Sequence, residues 1–372
     1  MNELKQTQKG GDNSVQNQIG TQIIVGIDEK RVREICDEKI ALAVNDYSFE
    51  AQAIARQRID ALTEKVVERL RKDPSKIQVF SDPSFQRDVV SAQIAAAESD
   101  READIETIAE LLFARMTEDD KYKRPTKTSI RKAIAIVPEL SADELAVLTV
   151  MFFLKIHSLV DMSAVNVEQY LKEFDAYLLT ILSTSKLPYG GTWRQRLSLL
   201  DCIEVNHVDS FATLEDYFLE DLDGLVCVGI AKDSSEYLES IKILDEYGIT
   251  HDALVTNVLL PEYVRLPFVC LYYLSKLPEL MLNGQKSVSL ALSKKQEEGL
   301  RKIVSLYKKD DALLKNAKQM FLKTMNNYGA IQQLRCWLAS QEHSFELTLI
   351  GETLAYVNLR RCIPGLPDCV IE

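Results

Sequence analysis

Three carboxylates, Asp216, Glu220 and Asp223, are spaced i, i+4, i+7 within an acidic segment that also holds Glu215 and Asp221. On a helix that spacing puts all three on one face. Carboxylates so grouped can hold Mg²⁺, the ion with which nucleases and phosphohydrolases activate water and neutralise a phosphoryl group. Such centres add further ligands and a base that positions phosphate, which this segment lacks. A solvated acidic face is the plainer reading in an acidic chain. The opposite charge gathers in Lys121, Lys123, Arg124, Lys127, Arg131 and Lys132, beside Thr126, Thr128 and Ser129 at an expected helix start. Helix-start N–H groups combined with Lys123, Arg124, Lys127 and Arg131 would bind an anion. No Gly-x-x-x-x-Gly-Lys-[Ser/Thr] loop is present, so this is not a P-loop, and a solvated basic turn is the simpler alternative. Trp193, Arg194 and Arg196 follow Tyr189-Gly190-Gly191 and could stack on and pair with a nucleotide or an acidic partner, although Trp193 also suits a core anchor.

Nucleophile and metal signatures are otherwise missing. The four histidines, His157, His207, His251 and His343, have no second histidine at i+3 or i+4. The seven cysteines include no Cys-x-x-Cys pair and read as reduced, mostly buried thiols. The residues assign no catalytic group and no cofactor.

Composition narrows the partners. A chain of 372 residues with 46% hydrophobic and 27% charged residues can bury a real core in two or three domains. Its net charge of −12 counts against nucleic acid or an anionic membrane as the main partner. The longest apolar run, Leu145 to Leu154, stops at Lys155, well short of the roughly 20 residues of a membrane span. Leu254 to Leu282 is interrupted by Glu262, Arg265, Lys276, Pro261, Pro267 and Pro278. The opening Met-Asn-Glu-Leu-Lys-Gln has no apolar segment, so the expectation is a cytoplasmic protein without a signal peptide.

The elements that would position these residues are helices. Asp28 caps a helix to about Val44, and Ser48 opens a coiled-coil-like one over 49–71 with a stripe of Ala55, Ile59, Leu62, Val66 and Leu70. Ser81-Asp82-Pro83 starts the next helix. Ile105, Ile108, Ala109, Leu112 and Phe113 mark another, and Ser141 with Glu144 forms a capping box ahead of the buried helix through Leu154. The break at Lys186 to Thr192 divides a helical domain, 28–185, from a mostly helical one, 186–372. In the latter, Ser293 to Gln296 forms a capping box, and a long helix runs from Asp310 or Asp311 towards Trp337. Short β-prone stretches are expected near 225–230 and 345–350. The fold class is all-α.

Residues 1–27 alone alternate like a strand. Val15, Asn17, Ile19, Ile23 and Val25 share one face, opposite Gln16, Gln18, Gly20 and Gln22. A single terminal strand has unpaired groups on both edges and needs another strand, so these residues are the expected contacts of a homo-oligomer. The alternative is a mobile polar leader.

Three passages together carry a resemblance. Gly11-Asp12-Asn13-Ser14-Val15, the segment from Ala92-Gln93 through Ile108-Ala109-Glu110-Leu111-Leu112, and Leu347-Thr348-Leu349-Ile350-Gly351-Glu352-Thr353-Leu354-Ala355 resemble an uncharacterised family of bacterial cytosolic proteins. The tail is also similar to endings of abortive-infection-type proteins. The resemblance implies a role near phage defence or stress response, with a partner protein from a defence operon, and transfers no catalytic residue. The ending Asp368-Cys369-Val370-Ile371-Glu372 departs from the Trp-containing strand that closes such tails. Phe345 to Gly351 followed by a helix is similar as well to the wing of winged-helix DNA-binding domains, but Asn326 to Ser340 offers only Arg335 as a base. The function expected is a non-enzymatic oligomerising or sensor component assembled through the leader. The alternatives are a metal-dependent nuclease or phosphohydrolase, or a winged-helix-like regulator.

Overall fold

A computed structural model describes residues 28–44, 48–116, 127–160, 166–271 and 292–363. The leader residues Val15, Asn17, Ile19, Ile23 and Val25, and the bases Lys123 and Arg124, lie outside the described residues. The architecture is all-α with a little β structure.

The first helices start where their caps predict. Asp28 accepts from the Arg31 N–H at the start of α1 (Glu29–Val44), and Ser48 accepts from the Ala51 N–H at the start of α2 (Phe49–Lys72). Asp82 caps α3 (Pro83–Glu98), whose first residue is proline because its missing N–H has no partner to lose there. Helix α4 (Glu102–Met116) follows. The apolar stripe of α2 is covered by α1, α3 and α4 of the same chain. Helix α5 (Lys127–Ile136) leads to α6 (Ala142–Val160), where Ser141 and Glu144 exchange the two hydrogen bonds of a capping box. Helix α6 runs past the expected end at Leu154. Asn166 caps α7 (Val167–Ile181).

The rest of the chain alternates short helices and strands: α8 (Thr192–Leu199), β1 (Ile203–Asn206), α9 (Leu214–Asp221), β2 (Ile230–Ala231), α10 (Ser235–Tyr247), β3 (Val255–Thr256), β4 (Tyr263–Arg265), α11 (Lys294–Ser305), α12 (Asp311–Met325), α13 (Gly329–Ala339), β5 (Ser344–Leu347) and α14 (Leu349–Cys362). Two antiparallel sheets form among the described residues, β1-β5 and β2-β4-β3.

Three local expectations change. The apolar run Leu225 to Val228 is buried in turns, and only Ile230 joins a strand. Gly224 presses on the segment that follows β4 and Gly229 on β4 itself, where a Cβ would overlap the carbonyl oxygens of Phe268 and Val264 respectively, and Gly229 has φ +83. The backbone is held too close there for side chains, and it turns instead of extending. The long helix expected from Asp310 to Trp337 is two helices, because Asp175 on α7 accepts from the Ala330 and Ile331 N–H groups and so caps α13 from outside. The β stretch near 345–350 stops at Leu347, since Thr348 accepts from the Gly351 N–H and starts α14.

The last helix is the central one. Helix α14 packs on α4, α5 and α6, and its buried polar groups are matched: Thr353 with Ser129 at 3.1 Å, Asn358 with Thr149 at 2.7 Å, and Glu352 with Lys155 at 2.7 Å. Buried polar groups left unmatched cost about 1–3 kcal/mol each, so these pairs select one rotation of α14. One apolar cluster joins residues from Val32 to Leu359. A second lies between α10, α11 and β4 around Leu244, Leu266, Leu300 and Ile303.

Candidate functional site

The feature least visible in the sequence is the β1–β5 sheet, whose register pairs Ile203 with Leu347 and Asn206 with Ser344. It joins segments about 140 residues apart, and bringing such distant residues together costs entropy that local packing must offset. An aromatic layer underneath does so. Trp193 on α8 meets Trp337 on α13 at 5.8 Å and Phe345 on β5 at 5.7 Å, and Phe211 meets Phe345 at 5.1 Å. Trp193 is a core anchor, 5% exposed. Arg194 donates to Gln341 and Arg196 to Glu144, so both guanidinium groups hold the chain together.

The sheet's polarity follows from one bond. The Thr348 N–H donates to Cys202 O, so even-numbered residues of β1 face β5 while the main-chain groups of Ile203 and Val205 point away from it. The Glu204 and Glu346 side chains are exposed opposite each other, and Val205 is half-buried. Asn206 accepts from the N–H groups of Val208 and Asp209, and Asp209 O accepts from the Ser344 N–H, which closes that end of the sheet. Strand β5 pairs with β1 and not with a neighbouring strand, as a wing would.

The carboxylates Asp216, Glu220 and Asp223 do not share one face. Helix α9 ends at Asp221, Asp216 closes the capping box with Thr213, and Asp223 accepts from the Leu271 N–H at 2.6 Å. Among the described residues no group of three or more His, Cys, Asp or Glu is placed to hold a metal ion. Of the basic patch, Arg131 pairs with Asp88 at 2.6 Å and Lys132 with Asp201 at 3.5 Å, and Lys127 opens α5. An open cleft of about 420 Å³ between α2 and α4 is lined by Lys65, Arg69, Glu106 and Glu110, which pair across it. That pairing leaves the cleft little net charge with which to attract an ion.

Burial silences the thiols. It pushes Cys36 up to about 11 and Cys202 and Cys227 up to about 12, so they stay protonated near neutrality and are poor nucleophiles. Four of the described cysteines are buried, as expected of mostly buried thiols, Cys362 is half-buried and Cys336 is exposed. The histidines separate into three environments. His251 pairs with Asp245 at 2.8 Å, and His207 and His343 face each other with ring centroids 5.5 Å apart. His157 is enclosed by Tyr170, Phe174 and Phe218.

His157 carries a pH dependence. Tyr170 Oη lies 2.5 Å from its Nδ1, while its buried Nε2 has no hydrogen-bond partner and sits 3.4 Å from Asp221 Oδ2. Burial pushes the imidazole down to about 3 and, with repulsion from Glu220 and Asp223, lifts the Asp221 carboxyl to about 6. Below pH 6.5 the unfolded chain takes up the His157 proton and the fold does not, so this group's stabilisation falls with pH down to about 3. Asp221 acts oppositely: the fold binds its proton near 6 and the unfolded chain only near 3.8, so folding gains as pH drops through 6. The two slopes offset between about pH 6 and 4. Asp221→Asn is therefore expected to lose stability relative to wild type across that interval, by up to about 1 kcal/mol per pH unit after screening of the third-exposed carboxylate. Urea melts at several pH values measure it, and parallel curves would disprove the coupling.

No curated protein and no solved structure matches the chain. A protein-family model described only as ":-like" matches residues 26–367.

Proposed function

The chain belongs to that family, whose description names no activity, and we propose that its role is assembly: a non-enzymatic oligomerising or sensor component whose leader adds as a strand to the β1–β5 sheet of another copy. The observation that carries this reading is the two-stranded sheet itself, with the main-chain groups of Ile203 and Val205 turned away from their only strand partner among the described residues. An added strand supplies main-chain hydrogen bonds for affinity, and alternate side chains set register. The period-2 pattern of Val15, Asn17, Ile19, Ile23 and Val25 suits such a strand. The resemblance of the tail to endings of abortive-infection-type proteins supports a setting in phage defence or stress response, with a partner protein of the same system as a second occupant of the sheet.

Light scattering of the full chain tests it. Deleting residues 1–27 should lower the oligomer mass, and so should Val205→Pro, which removes an outward N–H without touching the β1–β5 bonds. An unchanged mass in the deletion, or a monomeric wild type, would end the proposal.

A further inference from the structure

His207 and His343 stand 136 positions apart in the sequence and directly opposite each other in the fold. Asn206 and Ser344 are the last paired residues of β1 and β5, so His207, one residue after β1, and His343, one residue before β5, occupy the next facing positions. Their rings lie 5.5 Å apart at 72°. We propose that this cross-strand pair is a binding site for a divalent transition-metal ion of the zinc, copper or nickel type.

The chemistry and the spacing agree. Neutral imidazole is a preferred ligand of these ions, while Mg²⁺ and Ca²⁺ favour oxygen. Two imidazoles on one ion, at metal–nitrogen distances of about 2.0–2.1 Å, keep their rings about 5 Å apart, close to the spacing already present.

The backbone on both sides is fixed in advance. Asn206 Oδ1 accepts from Val208 N–H at 2.9 Å and Asp209 N–H at 3.3 Å, and Asn206 Nδ2 donates to Asp209 Oδ2 at 3.0 Å. His207 is thus held inside a closed turn. Across from it, Ser344 donates both its N–H, at 2.8 Å, and its hydroxyl, at 3.0 Å, to Asp209 O, which pins the residue after His343 to the turn that carries His207. Preorganised ligands lose little entropy on binding. His207 is exposed and His343 half-buried, so an ion can reach them.

Local charge also favours a cation. Asp209 closes the turn and Glu342 precedes His343, so a carboxylate lies close in the chain to each histidine. Neighbouring anions favour the binding of a cation. With two protein ligands, the remaining coordination positions are open to water or to a donor from another molecule.

Calorimetry on the untagged full-length protein tests this, with Zn²⁺, Ni²⁺ and Mg²⁺ as separate titrants. Wild type should bind one Zn²⁺ or Ni²⁺ and no Mg²⁺. His207→Ala and His343→Ala should each weaken binding about tenfold or more, while Cys336→Ser should leave it unchanged. A readout that needs no variant is diethyl pyrocarbonate modification, from which saturating Zn²⁺ should protect His207 and His343 but not His251. Absence of binding at millimolar metal, wild-type affinity in either histidine variant, or loss of binding in Cys336→Ser would each overturn the site.

Discussion

Gly351→Ala should destabilise the protein by about 3 kcal/mol, although alanine is the better helix former by about 1 kcal/mol. Gly351 lies in the first turn of α14, where an added Cβ would overlap the carbonyl oxygen of Cys202. That oxygen is not free to move. It accepts from the Thr348 N–H at 3.1 Å, and the Cys202 N–H donates to Leu197 O at 2.8 Å, so the residue is tied to α8 on one side and to the cap of α14 on the other. Relief of the overlap must separate α14 from β1, and α14 is the helix on which α4, α5 and α6 converge. Gly329, at the start of α13, has nothing within 4 Å of an added Cβ, so Gly329→Ala should instead be neutral or stabilising by up to about 1 kcal/mol. Urea denaturation of both variants decides the matter. A Gly351→Ala protein as stable as wild type would mean that α14 and β1 do not meet as described.

The second large effect concerns Asp88. This carboxylate is 1% exposed and takes Arg115 Nε at 3.0 Å and Arg131 Nε at 2.6 Å, so α3, α4 and α5 meet on one buried acid. Removing one partner of a buried pair leaves the other charge in a poor solvent and costs about 3–5 kcal/mol. Asp88→Ala should lose about 3 kcal/mol, the lower end of that range, because Arg115 is itself buried at 3% exposure but also reaches Asp82 at 3.8 Å and donates to Ser84 Oγ at 3.3 Å. Arg131→Ala should lose only about 1 kcal/mol, since its side chain is 41% exposed and water already screens it. Removing both members of the buried pair, as Asp88→Leu with Arg115→Leu, should cost less than Asp88→Ala alone. If Asp88→Ala unfolds at the wild-type urea midpoint, the acid is not the junction of the three helices.

These effects centre on residues whose importance the sequence does not advertise. Helix starts were legible because capping is a local matter: Asp28, Ser48, Asp82, Ser141 and Ser293 each sit within three residues of the N–H they satisfy. The same logic failed at α13, whose cap, Asp175, lies about 155 residues away on α7. The placement of the three carboxylates was illegible for a related reason. Their spacing was right, but Asp223 falls beyond the helix end and turns to the Leu271 N–H, a partner that no local pattern reveals.

The sequence by itself determined the fold class, most helix boundaries and the apolar faces, because caps, periodicity and glycine or proline breaks act over a few residues. It also contained the four histidines, but as isolated residues. Only the tertiary structure decided that His157 is enclosed among aromatic rings, that His207 and His343 face each other, and that the segment after α8 pairs with the segment before α14. Such pairings arise from long-range packing of the Trp193, Trp337 and Phe345 layer, whose energy depends on which surfaces meet and not on spacing along the chain.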